Sequence, residues 1–343
     1  MPLSPYEFFG NLLQSPALAV TTLLILAVLL VNGWTDAPNA IACAVVTGSL
    51  SFRRGVMLAA LCNLLGVLWA GLWAPAVSYT IYSLVQFSGS PQTTLYALCA
   101  AMGTVVLWAA AAWWFGIPTS ESHALVAGLS GAAAALEGNV SCIRWESWSK
   151  VLLGLALSVG LGFFSGCLSA RLLRPIPLGD ALCKTLQIPG AALSAFLHGA
   201  QDGQKFLGIF LLGCALAAGR QDEQTFLIPL WLMALCAVFM ALGTGLGGGR
   251  IIDKVGREMV TLSPKDGVAC DLSSALCLTL SILWGLPVST THTRTAALLG
   301  VGRVGAGGCD WGVAGSVCAA WLFTFPCCFM LGGLLCRLSL LCL

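Results

Sequence analysis

Charged side chains are scarce in this sequence. Only 9% of its 343 residues are Asp, Glu, Lys or Arg, against about 25% in an average soluble domain. That shortage excludes an ordinary cytosolic enzyme and a disordered chain, which needs charge to stay solvated. A basic stripe or tail is also missing. Sixteen Lys and Arg stand against 14 Asp and Glu, a formal +2, so nucleic acid is not an expected partner. Paired cysteines are lacking too. The 16 cysteines lie singly in apolar stretches, apart from adjacent Cys327 and Cys328. With no CxxC pair or Cys/His cluster at metal-ligand spacing, a disulfide scaffold is excluded and the thiols read as small packing residues. The N-terminus has no basic segment of the kind that opens a cleavable signal peptide.

What is present is apolar. Hydrophobic residues make up 58% of the chain, and mean hydropathy is +0.91. The fold class is an all-α polytopic membrane protein with room for about ten to twelve transmembrane segments, at roughly 20 apolar residues per span plus loops. Strong runs lie near 17–31, 55–74, 93–115, 150–173, 224–246, 266–285 and 311–336. Shorter ones lie near 37–50, 76–87, 118–136, 189–197, 205–218 and 287–302. Each short run starts or stops at Gly, Pro, Ser, Thr, Asn or Asp. Broken helices survive in hydrocarbon only where protein or a cavity surrounds the break.

Basic residues orient the chain. Arg53 and Arg54, a group over 171–184 and a group over 250–265 are the main clusters. If all three are cytoplasmic, even numbers of spans must separate them. Four crossings then fall between the first two clusters and two between the last two. That arrangement puts the N-terminus outside, with about five crossings per half. An odd number inverts the second half relative to the first. The expected organisation is a first repeat over 1–175, a cytoplasmic linker over 176–188 and an inverted second repeat over 189–343. A multi-pass protein of a bacterial inner membrane is the reading that this compactness favours.

The two halves share motifs. Asn32-Gly-Trp-Thr-Asp-Ala-Pro-Asn39 faces His198-Gly-Ala-Gln-Asp-Gly-Gln-Lys205, with Asp36 and Asp202 at an offset of 166. Pro118-Thr-Ser-Glu-Ser-His123 faces Pro287-Val-Ser-Thr-Thr-His292, with the histidines at an offset of 169. Inverted repeats with interrupted helices are a transporter architecture whose site lies near the bilayer midplane.

These motifs carry the chemistry. A membrane carboxylate is costly unless paired or hydrated, so Asp36 and Asp202 either cap broken helices or coordinate a cation such as sodium. Asn32, Thr35, Asn39, Gln201 and Gln204 offer neutral oxygens suited to a hard cation. Glu121 could serve a cation or a proton. Pro118 and Pro287 suit a first helical turn. Ser120, Ser122, Ser289, Thr290 and Thr291 would then stand at helix N-termini, as simple caps or as donors to a tetrahedral oxyanion. Lys205 and Arg294 would touch that anion, or pair with Asp202 and Asp271. All three histidines, His123, His198 and His292, fall in the motifs, for helix locking or proton coupling. Asn63 reads as an interhelix hydrogen bond. No nucleophile–base–orienter set appears and both halves carry similar groups, which fits binding better than chemistry, so an enzyme is disfavoured; saturable, gradient-coupled uptake would exclude a channel.

Taken together, the four motifs resemble those of the inorganic phosphate transporter family known as PiT. The resemblance covers about 17–336 in order and spacing. It implies a homodimeric symporter that moves phosphate across the membrane with Na+ or H+ and needs no cofactor. It also implies that Asp36, Asn39, Asp202 and Gln204 help hold cation and anion, and that Ser120, Ser122, Ser289, Thr290 and Thr291 contact the anion. Thr35 and Gln201 stand where the family has Asn, and Trp34 replaces a smaller residue. The alternative within the same architecture is a sulfate or other oxyanion permease.

Overall fold

The computed structural model describes residues 4–221, 227–305 and 307–341. The start of the 224–246 run, 224–226, lies outside the described residues. Among the described residues the protein is built from helices. A short helix α1 (Pro5–Gln14) leads into α2 (Pro16–Thr35), a 3-10 turn (Ala37–Ile41) and α3 (Ala42–Val46). Then come α4 (Phe52–Trp73), α5 (Ala76–Tyr82), α6 (Pro91–Trp114), α7 (Glu121–Glu137) and α8 (Trp145–Leu173). The second half runs α9 (Asp180–Ala217), α10 (Leu230–Leu246), α11 (Gly249–Asp253) with a π turn (Lys254–Glu258), α12 (Pro264–Leu283), α13 (Thr290–Val304) and α14 (Trp311–Leu340). The same order of long and short helices thus occurs twice. Among the described residues, six stretches are long and apolar enough to cross a membrane: 16–46, 52–73, 91–114, 145–173, 264–283 and 311–340.

One sequence expectation fails locally. A break was expected at both acidic motifs, but only the first has one. There α2 stops at Thr35 and the chain tightens into the 3-10 turn. In the second copy α9 runs unbroken for 38 residues. Pro38 accounts for the difference, because it lacks an N–H and crowds the preceding turn. Gln204 stands at the matching place and continues the helix. The helix also begins at Asp180, so the latter part of the expected 176–188 linker is its first turns.

The halves interlock rather than sit side by side. α2 packs on α10 and α4 on α9, while α7 packs on α14 and α8 on α13. Each contact joins one half to the other. Small residues make the close approach possible, as in other membrane helix pairs. A Cβ on Gly131 would run into the Phe329 carbonyl oxygen, joining α7 to α14. A Cβ on Gly300 would meet the Phe163 carbonyl oxygen in the same way, joining α13 to α8. Gly131 and Gly300 differ by the 169 residues that separate the motif histidines.

The loops also repeat, at different ends. Val85 bridges Ile143, just before α8 begins, and Val260 bridges Cys309 in the second half. The first pair lies beside the N-terminus of α8, where Gln86 N–H donates to the Cys142 carbonyl at 2.8 Å. The second lies with the α8–α9 connection, since Lys265 Nζ donates to the Ile176 carbonyl at 2.7 Å. With 29 residues, α8 separates these ends by about 43 Å at 1.5 Å per residue. Buried Gln187 gathers the second end. It accepts from Thr47 Oγ1 at 2.5 Å and Ser49 Oγ at 2.7 Å, and donates to the Pro264 carbonyl at 2.6 Å. The loops carrying all three basic clusters therefore meet at one face.

The glycine seams predict a selective penalty. Gly131→Leu and Gly300→Leu should each lose about 1–3 kcal/mol or more through overpacking. Thermal melting of the detergent-solubilised protein would register the loss. Gly160→Leu, with nothing within 4 Å of its Cβ position, should melt like the parent.

Candidate functional site

Four chain segments converge on one buried cluster: the end of α2, the middle of α9 and the starts of α7 and α13. The starts of α7 and α13 are set by serine caps. Ser120 Oγ accepts from His123 N–H at 3.3 Å, and Ser289 Oγ accepts from His292 N–H at 3.2 Å. Both serines have extended backbone, as N-caps do. This corrects the expectation for Pro118 and Pro287. They lie two residues before the caps, outside the helices, because each serine takes up the helix's first unpaired N–H groups and so fixes its start.

The caps aim the next residues at the two aspartates. Asp36 is 4% exposed and Asp202 1%. Thr291 donates to Asp36 Oδ1, and Asn39 Nδ2 donates to the same oxygen at 3.1 Å. Thr290 Oγ1 lies 3.4 Å from Asp36 Oδ2 and 3.3 Å from Asp202 Oδ2, spanning the two carboxylates. Asn32 Nδ2 donates to Asp202 Oδ2 at 3.2 Å. Thr35 donates to Glu121. Lys205 Nζ donates to Asp202 Oδ1 at 2.5 Å, Ser122 Oγ at 2.5 Å and the Val288 carbonyl at 2.6 Å. His198 Nε2 lies 3.6 Å from Asp202 Oδ2, and ligand atoms of Asp36, His198 and Asp202 all fall within 4.8 Å of one another.

Two features define what this cluster can do. Its formal charges do not balance, since three carboxylates face one ammonium. It is also rich in acceptors without donors: Asn32 Oδ1, Asn39 Oδ1 and Glu121 Oε2 are buried with no hydrogen-bond partner. Buried polar atoms are normally satisfied. Oxygens left over around excess negative charge are ligands suited to a hard cation.

Other expected site residues are engaged elsewhere. Gln204 accepts from Val77 N–H at 3.1 Å and donates to the Ala200 carbonyl at 3.0 Å, so its amide is used in joining α9 to α5. Gln201 Nε2 donates to the Leu286 carbonyl at 2.8 Å, leaving its oxygen over. Arg294 is not brought to the cluster. It pairs with Asp271 at 2.6 Å and donates to Ser194 Oγ at 2.8 Å, which realises the ion-pair alternative. The histidines do different things. His198 Nδ1 meets Asn63 Oδ1 at 2.9 Å, and Asn63 Nδ2 donates to Thr244 across α4 and α10 at 3.0 Å. His123 and His292 meet edge to face, 4.3 Å between centroids, where the halves join.

The sequence profile of a phosphate transporter family matches residues 32–332. The chain belongs to that phosphate transporter family. It is 33% identical to a probable low-affinity inorganic phosphate transporter of Bacillus subtilis (strain 168), over 92% of this chain and 96% of the relative. It is 36% identical to a protein of the same description from Rhizobium meliloti (strain 1021), over 86% of this chain and 88% of the relative. A solved structure described as the sodium-dependent phosphate transporter superposes with a TM-score of 0.79. It covers 96% of this chain and all of its own at 21% identity, which speaks for a shared fold. A family of transporters also agrees with the absence of any catalytic constellation in the sequence.

Some groups of this family member's cluster carry no signal in the sequence. The Val288 carbonyl reaches Lys205 through backbone geometry, which residue type cannot reveal. Trp321 stacks on His292 at 3.7 Å, and Phe325 stacks on His123 at 4.6 Å. Both lie on α14, about thirty residues beyond the last motif.

The Arg294 pairing makes a prediction. Breaking a buried ion pair by removing one partner costs about 3–5 kcal/mol, whereas replacing both can be neutral. Arg294→Met and Asp271→Leu should each lower folded yield sharply. The double variant should recover it and keep substrate uptake. A recovered but inactive double variant would return Arg294 to the transport site.

Proposed function

We propose that this protein is a secondary active symporter that moves inorganic phosphate inward with Na+ or H+, by alternating access around one midplane site. The observation that carries the reading is the unbalanced, acceptor-rich cluster made by both halves. A divalent anion cannot approach three carboxylates and one ammonium without further positive charge. Cations bound beside Asp36 and Asp202 supply it, through the leftover oxygens of Asn32, Asn39 and Glu121. The anion then meets the α7 and α13 N-termini, where the helix dipoles and the hydroxyls of Ser120, Ser122, Ser289, Thr290 and Thr291 favour negative charge. Cation binding and anion binding thus depend on each other, which is the physical content of coupling.

The placement of corresponding loops at opposite ends of α8 supports an inverted second repeat. The meeting of the three basic clusters at one face supports assigning that face to the cytoplasm, with the N-terminus outside. The names of the relatives support phosphate as the anion, and the solved neighbour's name supports sodium as the coupling ion. A homodimer in the cell membrane is part of the same proposal.

Uptake of radiolabelled phosphate into proteoliposomes tests it, with an imposed sodium gradient compared with an imposed pH gradient and excess cold sulfate in parallel. Phosphate should accumulate under one of the cation gradients and resist sulfate. Asp36→Asn and Asp202→Asn should each lower the initial rate more than tenfold while preserving expression. Undiminished uptake by both variants would overturn the assignment, and abolition of the signal by sulfate would move the substrate to sulfate.

A further inference from the structure

The two copies of the acidic motif differ at one telling place. Asn39 stands three residues after Asp36, and Lys205 stands three residues after Asp202. Both side chains fold back on their own aspartate: Asn39 Nδ2 to Asp36 Oδ1 at 3.1 Å, and Lys205 Nζ to Asp202 Oδ1 at 2.5 Å. The hydroxyl motifs correspond as well, since Ser122 and Thr291 are separated by the 169 residues of the repeat. Thr291 serves Asp36, and Ser122 serves Lys205. The copies therefore set a carboxylate and a hydroxyl at matching positions, and the Asn39 amide stands in the first copy where the Lys205 ammonium stands in the second. Around the first, the Asn39 oxygen is buried without a donor. Around the second, an ammonium is held by three oxygens, from Asp202, Ser122 and Val288, all within 2.6 Å.

We propose that Lys205 is a built-in replacement for one coupling cation: its ammonium fills, in the second copy, the oxygen cage that the first copy leaves for a free monovalent cation. The inference rests on the cation reading above and refines it: the positive charge beside Asp202 is the tethered ammonium, and the free cation is left the Asp36 side. A tethered charge at Asp202 offsets the anion's repulsion as a bound ion would, but no gradient pays for its arrival. The cycle then uses one free cation fewer than a protein whose two cages are both open. Lys205 is fully buried, and its cage draws on α9, on α7 and on the segment before α13, so the ammonium also ties the two halves together at the site.

The test counts ions. Equilibrium binding of radioactive sodium to the purified, monodisperse protein is compared among the parent, Lys205→Asn, Lys205→Ala and Lys205→Arg. The Asn and Ala variants should bind one more sodium per chain than the parent, and the Arg variant the same number. In proteoliposomes the sodium-to-phosphate flux ratio of Lys205→Asn should rise by one. Folded Asn and Ala variants that bind no more sodium than the parent would overturn the proposal. An unchanged sodium count with lost phosphate binding would make Lys205 an anion ligand instead. Failure of the underlying cation reading is seen separately, as undiminished uptake and sodium binding by Asp36→Asn in the parent background.

Discussion

The structure depends on keeping ionisable groups buried inside an apolar bundle of helices. Asp36, Asp202, Glu121 and Lys205 are all buried, and each isolated charge would be prohibitively costly there. The surrounding fold meets that cost in one way throughout. Helix starts at Ser120 and Ser289 bring hydroxyls and helix dipoles to the cluster, and the end of α2 and the middle of α9 bring the carboxylates. None of these could reach the others if α7 and α13 were ordinary full-length spans. The shortness of the half-helices, which weakens each as a membrane segment, is what lets their ends lie at the charges. Cross-half packing of α7 on α14 and α8 on α13 then covers the backbone groups exposed at those ends.

Repetition supplies the geometry, and local departures from it supply the direction of the chemistry. Pro38 breaks the first acidic helix, and Gln204 at the matching place leaves α9 whole. Asn39 offers an oxygen where Lys205 offers a charge. Each exchange involves one residue, yet each changes what its side of the cluster can accept. A fully symmetric site would hold the same ligands twice. This one opposes a kinked, oxygen-lined side to a straight, ammonium-filled side.

Much of this was legible in the sequence, and the reason is physical. Charge depletion with long apolar runs has essentially one solution, a helical membrane protein. In so apolar a chain, every polar residue that recurs at a fixed offset stands out, which is why Asp36, Asp202, Ser120, Ser289 and the three histidines could be found. The sequence could not say where side chains point. Gln204 sits two residues from Asp202 on a helix, so it faces away and caps Val77 instead. Arg294 follows the second hydroxyl motif closely, but it projects toward Asp271 and Ser194. The continuity of α9 was misread because the aspartate motif was weighed without the proline that breaks its partner. The Val288 carbonyl was invisible because every residue has one.

Arg294–Asp271 and Lys205–Asp202 show why burial of an ion pair does not by itself mark a site. Both pairs are buried and close, at 2.6 and 2.5 Å. In the first, one guanidinium meets one carboxylate, and the hydroxyl of Ser194 adds a further acceptor. The charge is balanced, so the pair gains nothing from a visiting ion, and its energetics are those of a structural contact. Asp271 Oδ2 and Arg294 Nε are left over there, one acceptor and one donor; in the second, the ammonium meets one of three carboxylates, and the acceptors of Asn32, Asn39 and Glu121 remain over. The excess is of one sign, and the spare atoms are oxygens, with His198 Nε2 beside them. A cluster in that condition has a place for further positive charge, which is the premise of the proposed cation coupling. Charge balance, more than depth or distance, separates the pair that holds the fold from the pair in the proposed transport site.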